Sequence, residues 1–279
     1  MSQADSAGAA EARTGREPSP PPAAVPAPAR EGDEALVVTQ LTAGYARTPV
    51  IENIDLEVRK GEVVLLAGPN GAGKSTLVKA IIGTIRRFTG KVTVLGNDVT
   101  GQGAAELIRS GVAYVPQQDD VFLSLSVHDN LMLGGYLLPR GKRHERVEQR
   151  LAEFPALAAA NRRAAGTLSG GQRKTLALAR ALMLDPQVVI LDEPTAGLAP
   201  KTASQILIEN IAPLSHLGKA VLMVEQRVTD ALRVADLVTV LVAGRIVLSE
   251  AATAFAKRPD AGRWLMGAIP EPEADQRRH

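Results

Sequence analysis

The chain has 279 residues, of which 45% are hydrophobic, and its 32 basic and 30 acidic residues give a net charge of +2. This length and composition predict one full-sized α/β core, and the nearly balanced charge excludes a dedicated nucleic-acid-binding protein. The absence of cysteine excludes disulfide scaffolds, thiolate metal sites and cysteine nucleophiles, and favours a reducing compartment. No apolar run approaches the roughly 18 to 20 residues that cross a bilayer, so we expect a chain that is soluble by itself.

The N-terminal segment, residues 1–34, is rich in Ala, Pro, Glu and Arg and nearly free of large apolar side chains. Such a composition cannot offset the entropy of ordering, which predicts a disordered tail. A docking arm for a partner is the alternative. The polar residues 268–279 are predicted to form a second disordered tail. The folded domain is therefore predicted to span residues 35–267.

Short β-rich runs begin this domain, at residues 36–41, 54–58 and 63–68, with turn-forming residues between them. The later apolar strands lie between helix-like segments and lack polar alternation: VVILD (188–192), VLMVE (221–225) and LVTVLV (237–242). Continuous apolar strands between helices predict a mostly parallel sheet that is covered on both faces. The predicted fold class is therefore α/β.

The middle of the chain has a different pattern. From about Val127 to Gly166, Leu, Ala and charged residues recur at helical spacing and no run resembles a strand. This predicts a helical subdomain, of about residues 118–170, inserted into the α/β core. Its basic stretch RGKRHER (140–146) is interpreted as a solvated helix face, and a surface for a membrane or a partner is the alternative.

The segment GPNGAGKST fits the phosphate-binding pattern G-x-x-x-x-G-K-[ST], between the apolar strand VVLLA and the helix-like TLVKAIIG. Glycines suit this role because the backbone N–H groups must curl around phosphates without interference from Cβ atoms, and the next helix N-terminus adds its dipole. We expect Lys74 to reach the β- and γ-phosphates, Ser75 to bind Mg²⁺ and Thr76 to approach the α-phosphate. The predicted nucleotide-binding residues of this loop are Gly68, Pro69, Asn70, Gly71, Ala72, Gly73, Lys74, Ser75 and Thr76.

Two adjacent carboxylates end the apolar strand in VVILDEPTAG. Buried strands seldom end in paired acids without a cation nearby. In a protein with a phosphate-binding loop, Asp192 is expected to hold Mg²⁺ through water. Glu193 is expected to act as the general base for the water that attacks the γ-phosphate. An acidic turn at the surface is the alternative.

The segment TLSGGQRKTLALARAL (167–182) predicts a helix with Ser169 as its N-cap, followed by two glycines, and hence a second anion site at a helix N-terminus. Together with GPNGAGKST and LDEP, the LSGGQ sequence resembles the signature of the ATP-binding cassette (ABC) ATPases, over about residues 36–267. The resemblance implies a P-loop NTPase core with a mostly parallel sheet, an antiparallel β subdomain and an α-helical signature subdomain.

The resemblance also implies roles for single residues. Tyr45 matches the aromatic residue that stacks on adenine, with packing as the alternative, and Gln117 matches the glutamine that contacts Mg²⁺ and the attacking water, with Gln118 as the alternative register. The implied ligands of Mg²⁺ are Ser75, Gln117 and Asp192. The signature residues are implied to complete the ATP site of a second subunit that pairs head to tail; they are Leu168, Ser169, Gly170, Gly171 and Gln172.

Two positions depart from the family pattern. Gln226 occupies the place of a histidine that senses the γ-phosphate, and glutamine can donate a hydrogen bond there but cannot be protonated. Ala199 stands where many ABC ATPases carry an Asp that communicates between subunits. We interpret both departures as features of a subfamily and predict that the site is catalytically active, with Glu193 and Gln226 as its catalytic residues.

The combination of AGTLSGGQ, LDEPTAGLAP, MVEQRV and GRIVLSE resembles the ATPase subunits of branched-chain amino acid importers. This implies a peripheral subunit on the cytoplasmic face of the inner membrane that uses ATP and Mg²⁺. The implied partners are two transmembrane permease subunits, a second ABC ATPase (identical or different) and, indirectly, an extracytoplasmic solute-binding protein, without nucleic acid. The alternatives are another cargo (urea, another small solute, or an exported lipid or polysaccharide), a soluble mechanical ABC protein, and a nucleotide-dependent regulator that barely hydrolyses ATP.

Overall fold

The computed structural model describes residues 33–118 and 121–268. Apart from residues 33, 34 and 268, the two predicted tails lie outside this part of the chain. Within these two ranges, every helix is too short or too polar to span a bilayer.

The described strands form two sheets. They are β1 (Glu34–Tyr45), β2 (Thr48–Arg59), β3 (Val63–Ala67), β4 (Arg86–Val94), β5 (Asn97–Asp98), β6 (Val112–Val115), β7 (Val188–Asp192), β8 (Ala220–Val224), β9 (Leu237–Val242) and β10 (Arg245–Ala251). The first sheet is antiparallel, in the order β2-β1-β4-β5. The second has the order β10-β9-β3-β8-β7-β6 and is parallel except for the β10–β9 pair. The predicted α/β class with a mostly parallel sheet and an antiparallel β part is thus confirmed.

Helices connect and cover these strands. They are α1 (Lys74–Ile81), α2 (Ala104–Arg109), α3 (Val127–Gly134), α4 (Arg140–Glu153), α5 (Pro155–Ala158), α6 (Gly170–Ala181), α7 (Pro200–Gln205), α8 (Ala212–His216), α9 (Val228–Ala231), α10 (Ala252–Phe255) and α11 (Ala261–Leu265). A π-helical stretch, Ile206–Ile211, joins α7 to α8. The segment predicted to be helical thus contains α3, α4 and α5, and the signature helix α6 follows it.

The two faces of the parallel sheet bury separate hydrophobic cores. Along β3, Val63 and Leu65 pack in the core shared with α3–α6, whereas Val64 and Leu66 pack in the core shared with the antiparallel sheet. Successive side chains of a strand point to opposite faces, so a strand between two cores must be apolar throughout. This is why VVLLA shows no polar alternation.

The described chain ends beside the glycine-rich loop. Gly267 has a φ of 80° and its N–H bonds the carbonyl of Trp264, while Ala268 N–H bonds the carbonyl of Arg263 at 2.9 Å. This pattern is a Schellman turn that terminates α11. A Cβ on Gly267 would lie 3.1 Å from Cγ of Pro69. The turn therefore places Gly267 against Pro69 of the loop.

The buried side chain of Asn130 fixes the entry to α3. Its Oδ1 accepts the backbone N–H of Phe122 at 2.8 Å, and its Nδ2 donates to the carbonyls of Phe122 and Ser126 at 3.0 and 2.9 Å. Asn130→Ala leaves these buried groups without partners, and we expect the free energy of unfolding to fall by about 1–3 kcal/mol. Urea unfolding measures this. Glu148→Ala, at an exposed position of α4, should change the same quantity by less than about 0.5 kcal/mol; equal effects of the two changes would contradict the role of Asn130.

Candidate functional site

Four predicted site segments follow parallel strands at one edge of the second sheet. Paired residues show the common register: Val115 lies opposite Leu191, Asp192 opposite Val224, and Val224 opposite Leu66. The segments that leave these strand ends contain the glycine-rich loop after β3, Gln117 after β6, Glu193 after β7 and Gln226 after β8. The carboxyl ends of parallel strands are where open α/β sheets bind ligands.

The glycine-rich loop, residues 68–73, needs glycine for two reasons. Gly68, Gly71 and Gly73 have φ values of 140°, 80° and 105°, which side chains disfavour. A Cβ on Gly68 would also lie 2.0 Å from the carbonyl oxygen of Leu241. At Gly73, the N-cap of α1, no side chain caps the helix. The first-turn N–H groups of α1 therefore remain available to an anion.

Lys74 is 6% exposed, and its ammonium lies over this loop. Its Nζ donates to the carbonyls of Gly68 at 2.8 Å and Pro69 at 2.9 Å. Burial lowers the pKa of Lys74, while the charges of Glu193 and Asp192 oppose that shift. A bound phosphate would compete with the two carbonyls for the same donors and would favour the charged ammonium.

The remaining nucleotide-binding candidates lie around the loop. Ser75 is exposed in the first turn of α1, and Thr76 is buried there. Tyr45 ends β1, is 47% exposed and pairs with Thr48 of β2. Three residues further along β2, Ile51 Cγ2 lies 2.8 Å from where a Cβ on Gly73 would be. The strand that pairs with the end of β1 at Tyr45 is thus also the strand that contacts the loop.

Asp192 is a buried carboxylate with an unused oxygen. Its Oδ2 accepts a long hydrogen bond, 3.5 Å, from the Tyr114 hydroxyl, and its Oδ1 is buried without a partner among the described residues. Burial, followed by the charge of Glu193, raises the pKa of Asp192. Burial, followed by the charge of Asp192, raises the pKa of Tyr114 to about 12. A buried carboxylate of this kind is suited to a cation.

The other oxygen donors indicate which cation fits. Groups of three or more His, Cys, Asp or Glu side chains that could hold a metal are absent from the described ranges. The candidates are instead a hydroxyl on Ser75, an amide on Gln117 and the Asp192 carboxylate. A typical Mg²⁺ site combines a few protein oxygens with phosphate and water ligands. These residues therefore fit that ion.

The Glu193 carboxylate lies between two amide side chains. Gln117 Nε2 donates to its Oε2 at 2.5 Å, and Gln226 Nε2 donates to its Oε1 at 2.7 Å. The Glu193 backbone has a φ of 51°, and its N–H bonds the carbonyl of Val224 at 2.9 Å. The structure therefore brings the two predicted catalytic residues and Gln117 together around one carboxylate.

The signature residues lie on a different element. Ser169 is the N-cap of α6, and it forms a capping box with Gln172: Ser169 Oγ accepts the N–H of Gln172 and the Gln172 side chain accepts the N–H of Ser169. A Cβ on Gly170 would lie 3.1 Å from Leu198 Cδ2, and one on Gly171 would lie 2.6 Å from Thr202 Cγ2. Small residues are thus needed where α6 meets the segment after β7.

One lysine links the signature helix to the Gln117 segment. Lys174, in the second turn of α6, donates from Nζ to the backbone carbonyl of Gln117 at 2.7 Å. Gln117 in turn contacts Glu193. A displacement of α6 would therefore reach the Glu193 carboxylate through two contacts.

Sequence reasoning assigned no role to four residues that contact the site: Tyr114, Lys174, Thr195 and Glu225. Glu225 carried the same signal as Asp192, since it is an acid at the end of an apolar strand. Tyr114 and Lys174 carried no comparable signal, because their partners lie 78 and 57 residues away in the sequence.

Comparison with known proteins shows which family this chain is similar to. A sequence model of the ABC transporter family matches residues 51–196. The chain is 37% identical over 235 residues to the probable branched-chain amino acid transport ATP-binding protein LivF of Archaeoglobus fulgidus, covering 84% of this chain and 99% of that protein. It is also 37% identical to the high-affinity branched-chain amino acid transport ATP-binding protein BraG of Pseudomonas aeruginosa, covering 77% and 92%.

Another relative is the Nod factor export ATP-binding protein I of Rhizobium meliloti, 39% identical over 76% of this chain and 62% of that protein. Among solved structures, a nucleotide-free ATP-binding cassette from an ABC transporter superimposes with a TM-score of 0.74 at 27% identity, covering 84% of this chain and 99% of the other.

The raised pKa of Asp192 predicts a stabilising substitution. The folded state holds the Asp192 proton more tightly than the unfolded chain, so ionisation destabilises the fold above the folded-state pKa and does not do so below the unfolded-state pKa. We therefore expect Asp192→Asn to raise the Tm at neutral pH, measured without nucleotide. The difference from wild type should shrink as the pH falls towards about 4.

Thermal unfolding across this pH range measures the effect. Asp230→Asn removes a carboxylate that pairs with Arg227, and this control should not raise the Tm. A Tm gain for Asp192→Asn that stays constant with pH would contradict the electrostatic origin.

Proposed function

The chain belongs to the ABC transporter family of ATP-binding cassettes, and from that membership we propose that it is the energy-coupling ATPase of an importer for branched-chain or related amino acids. The proposed ATPase activity is supported mainly by the Glu193 carboxylate. Gln117 and Gln226 hold it at the carboxyl ends of the parallel strands, where Lys74 also lies. The cargo rests on the names of the two relatives that align over most of their lengths.

The residues of this chain divide the work of hydrolysis. Backbone N–H groups of the glycine-rich loop and Lys74 hold the phosphates, and Tyr45 supports the adenine ring. Glu193 accepts a proton from the water that attacks the γ-phosphate. Gln117 and Gln226 each donate to one oxygen of Glu193, which fixes the carboxylate and leaves its other lone pairs for the water. Positioning and electrostatics supply most of the catalysis in phosphoryl transfer.

Ser75, Gln117 and Asp192 would hold Mg²⁺, with the buried Oδ1 of Asp192 as the strongest indication. The ion would neutralise charge on the transferring phosphoryl group. It would also compensate the adjacent carboxylates of Asp192 and Glu193.

A second ABC ATPase would face this one head to tail. The glycine-rich start of α6, exposed at Ser169 and half-buried at Gly170 and Gly171, suits the phosphates of a partner's nucleotide, because it combines a helix N-terminus with little side-chain bulk. Residues Leu168–Gln172 would then close the partner's site. ATP bound between the glycine-rich loop of one subunit and the signature residues of the other would stabilise the closed dimer. Hydrolysis would remove this stabilisation and let the dimer open.

An apolar surface on the helical part offers a place for the permease subunits. Phe122, Leu123 and Leu133 are 51%, 55% and 44% exposed. The Arg180 guanidinium lies 5.2 Å from the Phe122 ring centroid, and a Cβ on Gly134 would lie 2.7 Å from Arg180 Cγ, so this side chain joins the Phe122 segment to the end of α3. Clustered exposed apolar residues mark interaction sites. We propose that this helical surface docks on one of the two transmembrane permease subunits at the cytoplasmic face of the inner membrane.

The cargo has a second candidate. The 39% identity to a Nod factor export ATP-binding protein supports an exporter, of a lipid or polysaccharide, as the alternative. The residues that bind ATP contact phosphate rather than cargo, so the site itself is compatible with either.

Glu193→Gln tests the catalytic assignment. It keeps the shape and the contact with at least one amide but removes the base, and we expect kcat to fall by at least about a hundredfold while ATP still binds. Gln226→Ala removes one of two donors and should lower kcat by about tenfold. Turnover in the presence of the second ABC ATPase, and equilibrium ATP binding by the purified full chain, measure both effects.

Equal losses for these two variants would make Gln226 an indispensable catalytic residue. Normal turnover in Glu193→Gln would overturn the assignment of the general base. Loss of ATP binding in either variant would indicate a damaged fold instead, and thermal unfolding detects that case.

Co-purification tests the partners. The tag belongs at the N-terminus, because Gly267 lies against Pro69. We expect gently solubilised host membranes to yield two multi-span subunits and a second ABC ATPase. Phe122→Ser with Leu133→Ser should abolish this recovery, whereas Leu217→Ser, which changes a leucine of 67% exposure elsewhere, should not.

A solute receptor specific for branched-chain amino acids, encoded or recovered with these subunits, would support the proposed cargo. Recovery of ribosomes or nucleic acid without membrane proteins would overturn the transport proposal. Recovery of permeases that carry lipid or saccharide would favour the exporter.

A further inference from the structure

Three consecutive residues after β8 contact three different residues of the loop after β7. This loop, residues 193–199, connects β7 to α7. The pairs are Glu225 with Thr195, Gln226 with Glu193, and Arg227 with Leu198. The middle pair belongs to the catalytic site described above. The two flanking pairs hold the same loop at points on either side of its turn.

The first flanking pair is buried. Glu225 is 1% exposed and Thr195 is 0% exposed. Glu225 Oε1 accepts the backbone N–H of Thr195 at 2.8 Å and its hydroxyl at 2.7 Å, and Oε2 accepts the N–H of Gln226 at 3.2 Å. Burial raises the pKa of Glu225 and the bonds from Thr195 oppose that shift. One carboxylate thus ties the loop to the backbone of the residue that contacts Glu193.

The second flanking pair lies at the far end of the loop. Arg227 Nη1 donates to the carbonyl of Leu198 at 3.1 Å, and Arg227 Nε lies 3.4 Å from the Asp230 carboxylate. The Leu198 side chain packs where a Cβ on Gly170 would come within 3.1 Å. Arg227 therefore holds the part of the loop that supports the signature helix.

The backbone of the loop needs such support. Glu193 has a φ of 51°, a conformation that costs about 1–3 kcal/mol in a residue other than glycine and persists only where surrounding contacts impose it. Within the loop, Ala196 N–H bonds the Glu193 carbonyl and Leu198 N–H bonds the Thr195 carbonyl. These bonds shape the turn but do not attach it to β8, whereas Glu225 and Arg227 do.

We propose that Glu225 and Arg227 are positioning residues for ATP hydrolysis, which hold the 193–199 loop so that Glu193 meets the attacking water while Leu198 supports the signature helix. The proposal rests on the proposed role of Glu193 as the base. It links the site that this chain builds for its own nucleotide to the signature surface that it offers to a partner. Ala199 has no polar side chain that could make this connection between the two sites. In our proposal, the connection is made by its neighbour Leu198.

Thr195 offers a matched pair of substitutions. Thr195→Val keeps the shape and removes the hydroxyl that donates to Glu225, and Thr195→Ser keeps the hydroxyl. We expect kcat per ATP-binding site to fall about tenfold in the valine variant, with KM for ATP within about twofold of wild type, and to recover in the serine variant. Because kcat is counted per titrated binding site, unfolded protein does not contribute to the loss.

Arg227→Ala removes the other attachment, and Asp230→Asn is its control because it removes the ion pair but leaves the bond to Leu198. We expect a severalfold loss of kcat in the first and none in the second, since the ion pair is partly exposed to solvent and such pairs contribute little. If both attachments hold one loop, the combined variant Thr195→Val with Arg227→Ala should lose less activity than the product of the single losses.

The proposal is overturned if Thr195→Val keeps wild-type kcat, if Thr195→Ser is as impaired as Thr195→Val, or if the two losses simply multiply. These outcomes are separate from a failure of the proposed function. Normal turnover in Glu193→Gln would overturn the assignment of the general base. If Glu193→Gln is inactive while the single variants Thr195→Val and Arg227→Ala are both fully active, only the positioning role is overturned.

Discussion

Strands β3, β8, β7 and β6 run parallel in one register, and their carboxyl ends reach the same edge of the sheet. Strands β3, β8 and β7 are buried on both faces and apolar up to their last residues, and β6 is apolar except for Tyr114. A shift of one residue in any pair would turn every side chain to the opposite face. The register therefore determines that Lys74, Gln117, Glu193 and Gln226 converge, although they come from four separate segments.

Apart from the buried Oδ1 of Asp192, the polar groups at this edge bond one another. Two amides hold the Glu193 carboxylate, two carbonyls hold the Lys74 ammonium, and Lys174 attaches the signature helix to the backbone of Gln117. Any phosphate that enters must exchange some of these bonds for its own. Under the proposed function, nucleotide binding at Lys74 and Glu193 would therefore be coupled to contacts that reach α6.

Short-range patterns predicted much of this arrangement. The glycine-rich loop, the paired acids and the Ser169 cap depend on neighbours within a few residues, so spacing alone predicts them, and the apolar strands predict the parallel sheet. Spacing could not predict that Glu225 bonds Thr195 or that Tyr114 bonds Asp192, because these pairs are 30 and 78 residues apart and form only through strand order. The length of β1 also exceeded the apolar run that predicts it, since register shifts let the strand stay paired past Gln40.

The left-handed backbone of Glu193 has an implication for how such a chain can change over evolution. Glycine or asparagine would adopt a φ of 51° with less strain, so selection for stability alone would remove the acid from this position. A lineage that lost the need for turnover would be expected to drift towards those residues and to gain thermal stability as it did so. Glutamate at position 193 is therefore expected to persist only where selection acts on ATP turnover as well as on stability.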